Sequence, residues 1–187
     1  RYIMIRIISL FLALALTISP ALADKNQKKR DKIDASSASV LTKLYEQQPG
    51  TKKEIAGAVG YAVFSNVGVN VIFFSAGGGT GVVINNKSGQ RTYMNMGSAG
   101  VGIGMGIKDF RAVFVFHKQS ALDNFINTGW DFSGQADAAA KTTDRGAEAS
   151  GAGTVVNGVS IYQLTEAGIA LQATLQGTKY WKSGALN

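Results

Sequence analysis

Cysteine is absent from this sequence. Its absence removes disulfides, thiol catalysis and thiolate-bound zinc, and it leaves no cysteine to carry an acyl anchor. Histidine occurs once, as His117, which is too little for a histidine-built metal centre. A long apolar run is also missing. The N-terminal stretch "IISLFLALALTI", Ile7–Ile18, falls short of the roughly 20 residues that a membrane-spanning helix needs.

That stretch follows a base, Arg6, and leads through Pro20 to Ala21-Leu22-Ala23. A basic start, a short apolar stretch and an A-x-A ending describe a secretory signal peptide beginning at Met4 and cleaved after Ala23. The expectation is an exported, periplasmic protein, soluble or peripheral on a membrane. Its mature part would hold 164 of the 187 residues, enough for one domain with a sizeable core.

The formal charge is +7, or +5 without Arg1 and Arg6. Residues 24–32, "DKNQKKRDK", hold five bases (Lys25, Lys28, Lys29, Arg30, Lys32) against two acids, so +3 of that excess sits in nine residues. Outside the cytoplasm the partner for such a patch is an anionic membrane surface rather than nucleic acid. A solvated leader is the other reading. Next, Ile33, Ser37, Val40, Leu41, Leu44, Tyr45 and Gln48 recur at helical spacing up to Pro49-Gly50. This stripe packs on the protein's own core or inserts shallowly into a membrane. Thr51-Lys-Lys-Glu54 reads as a capping box for a second helix, and Ser120-Ala-Leu-Asp123 as one for a later helix.

From Ala58 the period changes to two. Strands are expected over Ala58–Ser65, Val67–Ser75, Gly79–Asn85, Gln90–Met96, Gly100–Ile107, Phe110–His117, Val159–Glu166 and Gly168–Gln176. "NNKSG" forms a hairpin turn, and Asn86-Lys87-Ser88 is a glycosylation sequon in a eukaryotic host. The stretch from Gly129 to Thr154 becomes small and polar, and from Lys141 it reads as a mobile loop. The fold class is α+β, predominantly antiparallel β, a barrel or sandwich with helical additions. The organisation is a signal peptide (1–23), a basic leader with amphipathic helices (24–57) and a β-rich domain (58–187).

Two glycine ladders, Gly77-Gly79-Gly81 and Gly100-Gly102-Gly104-Gly106, raise the question of a phosphate loop. Val82 and Val83 stand where a Walker loop needs lysine and a hydroxyl, and neither run leads into a helix with dinucleotide-loop spacing. Strict alternation puts each ladder on one face of a strand, where it admits close approach by another element. The ladders are structural, and no nucleotide is expected. His117 reads as a packing or surface residue. A serine triad would pair it with Asp109 or Asp123, but no G-x-S-x-G elbow is present. Asp131 and Asp137 carry no mark of a catalytic carboxylate pair. "GTKYWK" places Lys179, Tyr180, Trp181 and Lys182 together, a mixture that suits either a membrane interface or a final strand.

Four blocks in order, "GYAVFSNVGVNVIFFSAGGGTGVVI", "GSAGVGIGMGIKDFRAVFVF", "GWDFSGQADAAAK" and "SIYQLTEAGIALQATLQGTKYW", resemble the SYLF domain, most closely its exported bacterial members. The resemblance spans Ile55 to Lys182. It implies a barrel-like β domain with helices and an activity of binding membrane lipids, phosphoinositides in eukaryotic members. Where those members read "YSRSKGLF", this chain reads "YQLTEAGIA", with Glu166 in place of a base. By place and character, the family's basic amphipathic lipid-binding segment corresponds here to Lys25, Lys28, Lys29, Arg30 and Lys32 followed by Ile33, Val40, Leu41 and Leu44.

The expected function is therefore non-enzymatic, reversible binding of anionic membrane lipids, with no cofactor and no metal. The alternative is a structural or stress-related envelope protein that binds another protein through its glycine-smoothed face. A hydrolase using His117 is a third class.

Overall fold

The computed structural model describes residues 20–66, 78–98, 110–131, 154–165, 168–169 and 178–187. The apolar run Ile7–Ile18, the expected strands Val67–Ser75 and Gly100–Ile107, most of Gly168–Gln176, and the glycines Gly77, Gly100, Gly102, Gly104 and Gly106 lie outside the described residues. So do Asp109, Asp137 and most of the expected loop.

Three helices and nine strands are described: α1 (Pro20–Gln47), α2 (Gly50–Gly57), β1 (Gly60–Ser65), β2 (Gly79–Asn85), β3 (Arg91–Ser98), β4 (Arg111–Phe116), α3 (Gln119–Thr128), β5 (Trp130–Asp131), β6 (Thr154–Val156), β7 (Val159–Thr165), β8 (Gly168–Ile169) and β9 (Thr178–Lys182). The fold is α+β and mainly antiparallel, as expected. Every pairing is antiparallel along the path β5-β9-β3-β2-β1-β4-β7-β6, with β8 also on β7. Among the described residues the two ends of this path do not pair with each other, so the described part of the sheet is a half-barrel and not a closed barrel.

Each face of the sheet carries a packed core. On one, Phe64, Met94, Met96, Phe114, Phe116 and Tyr180 pack with Leu122 and Phe125 of α3. On the other, Val63, Val113, Val115, Tyr162 and Leu164 pack with Val40 and Leu44 of α1 and Ile55 of α2, while Val82 and Tyr93 pack with Ile33 and the C-terminal Leu186. This is why β4 is buried from Ala112 to Phe116 without alternation. The helices thus share cores with the sheet, and residues 24–57 belong to the same folded unit.

The glycines of β2 serve this packing. A Cβ on Gly81 would fall on the carbonyl oxygen of Val63 and the ring of Phe64, and one on Gly79 would fall on Met96. At these two described positions of the ladder the space is filled by the protein's own atoms, and no open face is offered to a partner.

Turn chemistry explains the connections. Asn85 Oδ1 accepts from the amides of Lys87 and Ser88 at 3.0 and 3.1 Å, closing the β2–β3 hairpin with Gly89 at φ 71°. The side-chain nitrogen of Asn86, the sequon's acceptor, donates to the carbonyls of Ile55 and Ala58 at 2.7 and 3.0 Å. It holds the end of α2, so a glycan there would cost at least one of the two bonds. Neither expected capping box forms. Helix α2 starts behind Pro49 and α3 behind Lys118, each without a side-chain cap bond. Thr51 instead donates to the Gln48 carbonyl at 2.7 Å, and Asp123 accepts from Gln119 at 2.8 Å.

Candidate functional site

Helix α1 is one continuous helix of 28 residues, not a leader followed by a helix, and it runs through the expected cleavage site after Ala23. Its inward stripe, Asn26, Arg30, Ile33, Ser37, Val40 and Leu44, keeps the alternating spacing of four and three that stays on one helix face. Ile33, Ser37, Val40 and Leu44 are buried, and Leu41 is half-buried beside them. Of the two readings of the stripe, the structure takes core packing. While the helix is docked, Ile33, Val40, Leu41 and Leu44 are not available to insert into a membrane.

The five bases divide. Arg30 belongs to the inward stripe: its Nε donates to the carbonyl of Leu186 at 2.8 Å, its Nη1 to Gln27 at 3.3 Å, and its guanidinium lies 5.9 Å from the centre of the Tyr93 ring. Asn26 donates to the carbonyl of Ala185 at 2.9 Å. Arg30 is therefore a strut between helix and tail, which corrects its expected place among the free lipid-facing cations. Lys25, Lys28, Lys29 and Lys32 are exposed at i, i+3, i+4 and i+7, a single outward stripe. Lys28 pairs with Asp24 at 2.7 Å; among the described residues Lys25, Lys29 and Lys32 form no ion pair. Arg30→Gln removes a charge-assisted bond and a cation–π contact, so it is expected to lower stability by about 1 kcal/mol. Chemical denaturation measures it, and an unchanged midpoint would mean that the strut contributes nothing.

A second tie fixes the helix over β3. Asp34 accepts from Arg91 Nη1 at 2.6 Å and from the Tyr93 hydroxyl at 3.2 Å. Burial, and then the Asp34 carboxylate, raise the ionisation of Tyr93 above the usual phenol range. The chain end completes β3: beyond β9, the amide of Ser183 donates to the carbonyl of Tyr93 at 2.9 Å, and the Asn187 side chain bonds both backbone groups of Tyr93, at 2.9 and 2.8 Å.

The "GTKYWK" segment also divides, by strand alternation. Tyr180 faces inward, fully buried, with its ring centre 4.6 Å from Phe64 and 5.1 Å from Phe114. Burial pushes its phenol far up, and its hydroxyl has no hydrogen-bond partner among the described residues. Tyr180 is thus a core residue, which corrects its place at a membrane interface. Lys179, Trp181 and Lys182 are exposed, and Trp181 is 41% exposed.

Sequence reasoning missed one polar cluster. His117 Nε2 lies 2.8 Å from Ser160 Oγ and 3.2 Å from Glu54 Oε1, and Tyr162 donates to Glu54 Oε2 at 2.5 Å. Burial and this bond drive the Tyr162 phenol well above its usual range. Ser, His and Glu have come together, yet both contacts fall on the same imidazole nitrogen, whereas a relay needs the acid on the other one. Ser160 is also buried inside β7, between β4 and β6, rather than raised on an elbow. Among the described residues no third metal-ligand side chain joins His117 and Glu54. The cluster ties α2 to the sheet, using a glutamate that its spacing had assigned to a cap.

A cleft of about 210 Å³ lies between α3 and the β6–β7 turn, lined by Ser120, Asn124, Phe125, Trp130 and Asn157 among others. It is smaller than the ~300 Å³ at which small-molecule sites usually begin.

No family model matches the chain. The chain is similar to beta cell expansion factor A of Aeromonas veronii, at 32% identity over 156 residues. The match covers 83% of this chain and 58% of the relative, so the chain spans less than two thirds of that protein's length.

Proposed function

We propose that this is a non-enzymatic lipid-binding domain of the SYLF type that associates reversibly with an anionic membrane surface after export to the periplasm. The observation that carries the reading is the outward stripe of Lys25, Lys28, Lys29 and Lys32 on a helix that packs on the sheet through Val40 and Leu44 and is tied to β3 through Asp34. Each base near an anionic surface contributes about 1 kcal/mol, which the Lys28–Asp24 pair and salt reduce. Such a total supports reversible association and not anchoring. Because the apolar side of α1 is already used, contact is made from above the docked helix and without deep insertion.

Replacing Lys25, Lys28, Lys29 and Lys32 together by glutamine is expected to weaken binding to phosphatidylglycerol vesicles at low salt by at least about tenfold. Co-sedimentation at two salt concentrations measures the loss, and the gap between the proteins narrows as salt rises. The exposed positions leave the thermal midpoint unchanged. Equal binding by the two proteins would move the lipid contact off this helix.

A further inference from the structure

We propose that Trp181 and the corner of the sheet beside α1, uncovered among the described residues, join the lysine stripe in one docking face for an anionic bilayer, with the indole seated among the headgroups. The inference rests on the lipid-binding reading and adds to it which side of the domain meets the membrane.

Among the described residues, Trp181 is the exposed large hydrophobic side chain. The register places it opposite Asn95 of β3, two residues along from Tyr93, so it stands on the sheet face that α1 covers. The helix begins to cover that face at Tyr93, under Arg30 and Ile33. Beyond it the corner holds Asn95, Gly97 and Trp181. Gly97 has a specific use there: a Cβ would lie 2.9 Å from Trp181 Cη2, so the missing side chain is the space in which the indole rests. The ring is held against the sheet with one side open, and little conformational entropy remains to be lost when it docks.

The start of α1 is bound to the chain just past this ring. Asn26 is bonded to Ala185 and Arg30 to Leu186, four and five residues after Trp181. The lysine stripe and Trp181, with Lys179 on the same face of β9, therefore meet at one end of the molecule. A flat amphipathic ring beside clustered ammonium groups matches the bilayer interface, where tryptophan resides and anionic headgroups collect cations. Charge complementarity selects an anionic bilayer over a neutral one.

The test is tryptophan emission read with co-sedimentation, on the full mature protein and its W181F and W181A variants, against phosphatidylglycerol and phosphatidylcholine vesicles. With phosphatidylglycerol, the wild-type emission is expected to shift to the blue and to become less open to acrylamide. W181F, which keeps only Trp130, shows no shift. W181A sediments several-fold less well, with the same salt dependence and an unchanged melting temperature. Wild-type protein that sediments with phosphatidylglycerol while its emission stays constant, or W181A that sediments equally well, overturns this docking face and leaves the lysine reading standing. No sedimentation of the wild type at all overturns both.

Discussion

Leu44→Ala is expected to destabilise the domain by about 2–5 kcal/mol, the range for truncating a buried leucine whose surroundings cannot close the gap. Leu44 has no exposed surface and sits among Val63, Val113 and Leu164 of the sheet and Ile55 of α2, with Val40 one helical turn before it. For a domain of this size, each kcal/mol lowers the melting temperature by roughly 2–4 °C. The same substitution separates the two uses of the stripe. If Leu44 served insertion, the variant would melt like the wild type and bind vesicles poorly. With Leu44 in the core, the variant melts early yet binds phosphatidylglycerol vesicles normally at temperatures where it is folded, because the lysine stripe is untouched. Calorimetry and co-sedimentation on one preparation give both values.

Gly81→Val carries the second large effect. Valine is among the best strand formers, so in an open strand the change is neutral or favourable. In β2 the new Cβ meets the Val63 carbonyl, which is backbone and has no rotamer to escape to, and the Phe64 ring, which is fully buried and packed edge-on against Phe114 at 5.9 Å. Overpacking at such a site costs about 1–3 kcal/mol, and part of it falls on the β1–β2 pairing itself. Gly50→Ala is the control. Nothing lies within 4 Å of its Cβ position, and alanine there is neutral or slightly stabilising. Melting curves of the three proteins decide the matter, and a Gly81→Val midpoint at or above the wild type would show that the ladder lines an open face.

The sequence pattern was legible where its cause is local. The bounds of β2, Gly79–Asn85, follow from alternation and from the Asn85 turn, and both coincide with the expectation. The apolar part of α1 was equally clear. Its first turns were not, because residues 24–32 contain no apolar side chain, and the inward stripe continues through Asn26 and Arg30. Those two are held by carbonyls 159 and 156 residues away, which no local period reveals. Glu54 went the same way: its spacing from Thr51 fits a capping box, but Tyr162, 108 residues on, takes the carboxylate. Strand β6 had a local signal that was passed over. Asn157-Gly158, both at positive φ, is the two-residue hairpin turn between β6 and β7, hidden by the small polar run before it. Within the candidate site, alternation alone separates Tyr180 from Trp181 once β9 is known to be covered on one face, and that cover comes from α3.

The most direct test of docked, electrostatic lipid binding is the affinity of the mature protein for phosphatidylglycerol vesicles as salt is raised, with phosphatidylcholine vesicles alongside. Exposed lysines on a folded helix predict binding to the anionic vesicles only, falling steadily as the Debye length shrinks from about 10 Å at 0.1 M salt to about 3 Å at 1 M. Binding that is equal on the neutral vesicles, or that survives high salt undiminished, would contradict it, since that behaviour belongs to an inserted apolar surface.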